Sequence, residues 1–191
     1  FLSRTNPASV AEEVYTVGVG SPEDVDRAVA ASEGVRQTWC NLPSMQRNAI
    51  LKKFVANVMK QKERIATLIM KETGRPLPFC MMEMDQLQPY FEAACAHALT
   101  VRGDCNQSAA PGELTLVAHQ PVGVCGIILP WNYPVMLLSQ KLAPALAAGL
   151  NLTVDVVETL LAELQREYNG YTVNARMRMS PAIAVLMTAT M

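Results

Sequence analysis

The stretch from Pro121 to Gly149, PVGVCGIILPWNYPVMLLSQKLAPALAAG, constrains the fold more than any other part of the sequence. Val122 to Leu129 is a short apolar run rich in β-branched residues, and Gly123 and Gly126 within it leave room for another backbone; it predicts a buried strand. Pro130-Trp131-Asn132-Tyr133-Pro134 ends that run. Its two prolines remove two backbone donors and preset φ, which forces a turn and displays Trp131 and Asn132. Pro134 suits the first position of a helix, the following VMLLSQKLAPALAA is apolar nearly all round, and Gly149 is placed as the C-terminal cap. The predicted unit is strand, stiff loop, buried helix. Ligands in open α/β sheets bind outside the carboxyl ends of the strands, so Asn132 stands where a site is expected. Its amide donates two hydrogen bonds without carrying charge, which suits a developing oxyanion. A structural reading of the same residues is a capping Asn132, a packing Trp131 and a Lys141 snorkelling from an apolar helix.

GIILPWNYP followed by KLAPALAAG closely resembles the aldehyde dehydrogenase superfamily, with loop and helix agreeing in order and spacing. The resemblance implies that Asn132 is the oxyanion-hole amide that stabilises the thiohemiacetal formed from an aldehyde. It implies that Ile128, Leu129, Pro130, Trp131 and Asn132 line the nicotinamide-ribose end of an NAD or NADP site. Lys141 matches the family lysine associated with proton relay near the general base. The implied fold is α/β: N-terminal helices and strands leading into the start of a Rossmann-like parallel sheet that is incomplete here. A small-molecule aldehyde as partner, and a homo-oligomer in the complete form, are further implications.

The rest of the chain narrows the possibilities. With 191 residues, half of them hydrophobic, it can bury a large core. Sixteen basic against 17 acidic residues give a net charge of -1, with no basic block and no aromatic ladder, so no nucleic-acid partner is expected. The longest apolar runs fall short of a membrane span, and charges interrupt the N-terminal stretch too early for a signal peptide. The expectation is a soluble, intracellular protein of the cytoplasm or an organelle. Phe1 is not an initiator methionine, so the sequence is expected to begin inside a longer product or after processing. Five cysteines (Cys40, Cys80, Cys95, Cys105 and Cys125) with no C-x-x-C pair argue against a disulfide framework or zinc knuckle and for reduced, mostly buried thiols. Glu92, Cys95 and His97 lie close in sequence, but helical geometry turns His97 away from Cys95, so no metal site is expected.

In chain order, Asn6 to Gly20 predicts one or two exposed strands and resembles the family's N-P-A-T-G-E segment. Ser21-Pro22-Glu23-Asp24 is a helix start, with the helix expected to run to about Gly34. Its SPEDVDRAVAA wording again resembles the family without naming a catalytic group. Ile50, Leu51, Phe54, Val55, Val58 and Met59 mark an amphipathic helix over Ser44 to Gln61, and Ile65, Leu68 and Ile69 mark another over Lys62 to Thr73. Gly74-Arg75-Pro76 stops the second, in an E-T-G-[KR]-P context that the family shares. Leu77 to Val101 predicts a third helical stretch, with Met81, Met82 and Met84 as adaptable core. Arg102 to Gly112 predicts a loop, Glu113 to His119 a strand with His119 facing solvent.

After Gly149 the resemblance weakens. Leu152 to Val157 predicts a strand and TLLAELQRE a helix with Leu160, Leu161 and Leu164 inward, but the family's K-P-[SA]-E ribose motif is not found. Residues 1–149 are therefore expected to be the N-terminal part of an aldehyde dehydrogenase NAD(P)-binding domain. Residues 150–191 are a divergent or degraded continuation of uncertain fold, and the tail from Tyr171 matches nothing in the family. None of the five cysteines matches the nucleophile's motif, and Cys125 lies inside the strand. The expected function is NAD(P)-dependent oxidation of an aldehyde to a carboxylic acid by the complete enzyme. This chain is expected to be truncated before the catalytic cysteine, to supply Asn132, Lys141 and part of the cofactor wall, and to be inactive alone. The alternative is a non-catalytic truncated product that acts as an interaction module through an exposed sheet edge.

Overall fold

Asn6-Pro7 is a turn signal, and the chain reverses there: the Asn6 side-chain oxygen accepts the Ala8 N–H at 2.9 Å. The computed structural model of the chain describes residues 2–17 and 20–155. The turn joins strand β1 (Leu2–Asn6) to β2 (Ser9–Val17) in an antiparallel hairpin. β1 begins four residues before the strand region expected from sequence. The hairpin rests on helix α3 (Lys62–Thr73), tied by the ion pair of Lys71 with Glu12 at 2.7 Å. Next in the chain after β2 comes helix α1 (Pro22–Cys40), opened by Asp24, whose carboxylate accepts the Ser21 N–H at 2.9 Å.

Helix α1 does not stop at Gly34 as the sequence suggests. An interior glycine costs a helix roughly 1 kcal/mol. Continuing to Trp39 buries an indole worth on the order of 4 kcal/mol of apolar transfer. Trp39 is buried, and its indole N–H donates to the Leu146 carbonyl at 3.1 Å.

Helix α2 (Ser44–Met59) and α3 follow their predicted bounds closely, with Gly74 at φ +72° closing α3 through its N–H to the Met70 carbonyl at 2.9 Å. The region expected as one helix from Leu77 to Val101 is two, α4 (Leu77–Asp85) and α5 (Leu87–Ala98). Pro89 supplies the reason: it has no N–H for the Asp85 carbonyl and its ring crowds that position, so the chain breaks one turn earlier. Of the methionines expected in the core, Met84 is fully buried and Met81 packs against the core, whereas Met82 is exposed. The stretch expected as a loop contains strand β3 (Asp104–Gln107), paired antiparallel with β4 (Leu114–Val117). All eight residues of this hairpin are exposed, so β3 carries none of the alternation by which a half-buried strand is read. His119 is exposed, as expected.

The central unit forms as predicted in type. Strand β5 (Val124–Ile128) leads through the proline-bounded turn into helix α6 (Pro134–Ala147), which returns to strand β6 (Asn151–Asp155), parallel to β5. Such a βαβ unit is the start of a parallel sheet. β5 is less buried than expected: Ile127 and the following Leu129 are buried, while Val122 and Ile128 are exposed, because β6 is the only strand paired with β5 among the described residues. The expectation for residues 156–191, the TLLAELQRE helix and the tail, lies outside the described residues.

Helices α2, α5 and α6 pack together to form the core, with Phe54 against Phe91 at 5.3 Å between ring centroids and Leu138, Leu142 and Leu146 from α6 inward. Helix α6 ends in a Schellman motif: the Gly149 N–H reaches the Leu146 carbonyl and the Leu150 N–H the Ala145 carbonyl, both at 3.0 Å. Gly149 holds φ +91° here, and a Cβ would lie 3.1 Å from the Pro121 ring and 3.4 Å from the Arg47 guanidinium carbon. Gly149→Ala is therefore expected to lower stability by about 1–3 kcal/mol. Urea denaturation measures this, and a midpoint unchanged from the parent would overturn the assignment of strain.

Candidate active site

The carboxyl end of β5 and the first turn of α6 meet at Pro130–Pro134, and the sequence-predicted site residues gather there. Pro130, Trp131 and Asn132 are exposed. Ile128, the last residue of β5, is exposed as well, so Ile128, Pro130 and Trp131 form an apolar rim at the strand's end. Leu129 is fully buried in the core, which leaves only its backbone to meet a ligand. Lys141 is two turns along α6, and its ammonium donates to the Ile128 carbonyl at 2.6 Å. That bond ties the exposed side of the helix to the end of the strand and brings Lys141 beside the turn.

The first free N–H groups of a helix need acceptors. Tyr133, at the N-cap, offers α6 no side-chain bond. The acceptor comes from another helix: Glu83 of α4 takes the Val135 N–H at 2.8 Å and the Met136 N–H at 3.2 Å on one carboxylate oxygen. Its other oxygen accepts from Arg75 at 2.5 Å. The Glu83 side chain has no exposed surface and that of Arg75 keeps 17%. Burial pushes the Glu83 carboxyl above the ordinary range, opposed by Arg75 and by the two backbone N–H donors. Arg75 also donates to the Asn132 carbonyl at 3.0 Å and to the Phe79 carbonyl at 3.3 Å, and it lies 4.1 Å above the Tyr133 ring. Two charged side chains from the segment after α3 thus hold the turn from below.

Sequence reasoning missed this pair. In the sequence Arg75 reads only as part of a helix stop, and the methionine run around Glu83 only as core. A signal was present: Cys80, Glu83, Met84 and Leu87 recur at helical spacing on the buried face, and a carboxylate on such a face needs a partner.

The five cysteines are all free. Cys80 and Cys95 are buried and burial pushes both thiols up, while Cys40 and Cys125 are half-buried and Cys105 is exposed, a more open set than expected. Among the described residues no group of three or more His, Cys, Asp or Glu side chains could hold a metal. Glu92 is exposed and bonded to Gln88, whereas Cys95 on the same helix is buried. No helix among the described residues is long and apolar enough to cross a membrane.

Comparison with known proteins bears on this site. A family model described as the aldehyde dehydrogenase family matches residues 2–155, past Gly149 and through β6. Over 149 residues the chain is 34% identical to a betaine aldehyde dehydrogenase of Bacillus subtilis, covering 77% of this chain and 30% of that protein. Among solved structures, it superimposes with a TM-score of 0.82 and 25% identity on a betaine aldehyde dehydrogenase of Staphylococcus aureus in complex with NAD+, over 99% of this chain and 34% of the other. A 3,6-anhydro-L-galactose dehydrogenase in complex with NADP is similar with a TM-score of 0.79 and 28% identity, over 83% of this chain and 33% of the other. The chain thus spans about a third of the length of these relatives.

Removing Arg75 would leave a fully buried carboxylate facing two N–H groups alone. Arg75→Ala is expected to lower stability by about 3 kcal/mol, the scale of breaking a buried ion pair. Equilibrium urea unfolding measures it, and a loss smaller than about 1 kcal/mol, the scale of a surface pair, would contradict it.

Proposed function

The chain belongs to the aldehyde dehydrogenase family, and from that premise we propose that it carries the N-terminal share of an enzyme that oxidises an aldehyde to a carboxylic acid with NAD or NADP. The observation that carries the reading is the Pro130–Pro134 turn: a rigid loop at the carboxyl end of a parallel strand, with an exposed uncharged amide at Asn132. In this reading the Asn132 side chain donates to the aldehyde oxygen as negative charge develops on it. Ile128, Pro130 and Trp131, all exposed and apolar, fit the flat face of a nicotinamide, with the Leu129 backbone beside them. When bound, the nicotinamide cofactor supplies the acceptor for the hydride. Lys141 takes part in proton relay, its ammonium already held against the end of β5. The attacking thiolate and the general-base glutamate are not assigned to this chain, because none of its cysteines matches the nucleophile's motif and Cys80 and Cys95 are buried. The 191-residue chain by itself is accordingly inactive in this reading.

The support for NAD or NADP is that one similar structure holds NAD+ and another NADP. Both nucleotides stay in the proposal.

Asn132→Ala tests the reading in the full-length protein that carries this chain. The side chain is exposed, so the fold is expected to be retained by circular dichroism, while turnover with an aldehyde and NAD or NADP falls roughly a hundredfold or more. Unchanged turnover would remove Asn132 from the oxyanion hole, and no aldehyde-dependent reduction of either nucleotide would overturn the proposed activity altogether.

A further inference from the structure

We infer that Glu83 and Arg75 are positioning residues for the Asn132 amide, acting as one neutral clamp on the turn that carries it. This rests on the proposed role of Asn132 and deepens it. An oxyanion donor is effective only where its N–H points when negative charge develops, and a displacement of about 1 Å can cost a hundredfold in rate. Asn132 is exposed, so its orientation must come from the backbone beneath it. That backbone is gripped at three points, Arg75 on the Asn132 carbonyl and Glu83 on the N–H groups of Val135 and Met136, and Arg75 also lies over the Tyr133 ring. The grips share one support, because the Arg75 nitrogen that reaches Asn132 also reaches Glu83.

The clamp has an electrostatic consequence too. Free N–H groups at a helix N-terminus attract anions. Here Glu83 already occupies those of Val135 and Met136, and Arg75 balances its charge. The helix end is therefore spent on structure, and the side-chain amide of Asn132 is a donor that this turn can offer to a developing oxyanion in place of the helix N–H groups.

Glu83→Gln separates the two halves of the clamp. The amide oxygen of glutamine still accepts from Val135 and Met136, which keeps the helix start, but the anion that holds Arg75 is gone. In the full-length protein, kcat is expected to fall about tenfold or more with the aldehyde KM changed much less. In an Asn132→Ala background the same substitution is expected to change kcat by less than about twofold, since the group being positioned is absent. Arg75→Lys is the second variant should Glu83→Gln fold poorly: it keeps a charge opposite Glu83 but lacks the planar fork that reaches Asn132 and stacks on Tyr133. Its kcat is expected to show the same dependence on Asn132. Equal losses in both backgrounds, or full activity of the single variants, would overturn the inference while leaving Asn132 in its role. Full activity of Asn132→Ala alone would instead remove the reading on which the inference stands.

Discussion

Helix α6 is held at each end by a charge of the appropriate sign from another helix. At its N-terminus, where the peptide dipoles leave partial positive charge, Glu83 accepts two of the free N–H groups. At its C-terminus, Arg47 of α2 donates to the Ala147 carbonyl at 3.2 and 3.1 Å and also bonds the Leu42 carbonyl. Trp39 of α1 takes the neighbouring Leu146 carbonyl. The leucines of this helix fill the core, but hydrophobic attraction has no direction of its own. The polar bonds at its ends do have direction. They set the axial position of α6, and with it the turn at one end and the start of β6 at the other.

The candidate site inherits that arrangement. Pro130, Trp131, Asn132 and Tyr133 are exposed, yet Pro134 and Val135 after them are buried in α6, and Leu129 before them is buried after the end of β5. The exposed turn is thus short, proline-bounded and anchored on both sides. Lys141 adds a bond from the exposed side of α6 to the last carbonyl of β5, so strand, turn and helix are joined across the turn as well as through it. Rigid support of this kind is what a site needs when its chemistry depends on the direction of a single amide.

The break that Pro89 imposes between α4 and α5 also suits the charged pair. The buried side of α4 carries Cys80, Glu83 and Met84, and the break before α5 lets Leu87 and Phe91 turn into the core while Glu83 stays against α6. A buried ion pair contributes little net stability relative to well-packed apolar residues, since desolvation offsets the attraction. Its value in this fold lies in geometry. Arg75 follows Gly74, whose left-handed φ turns the chain after α3, so a helix stop and a site support occupy adjacent positions.

Local chemistry was legible without the fold. The prolines at 130 and 134 and the β-branched run before them dictate strand, turn and helix by removing donors and fixing φ. Gly74 and Gly149 mark helix ends because few other residues take positive φ there. Asn132, Lys141 and the family resemblance were all readable from that one stretch. Elements set by long-range contacts were not: α1 runs through Gly34 because Trp39 finds a carbonyl on α6, and β3 exists because β4 pairs with its backbone while all its side chains stay exposed. The same holds for Arg75 and Glu83. Sequence determines that a carboxylate sits on a buried helical face and must find a partner; only the tertiary structure decides that the partners are an arginine eight residues earlier and the first N–H groups of a helix some fifty residues later. Bond direction and distance between segments remote in sequence are properties of packing, and no local pattern encodes them.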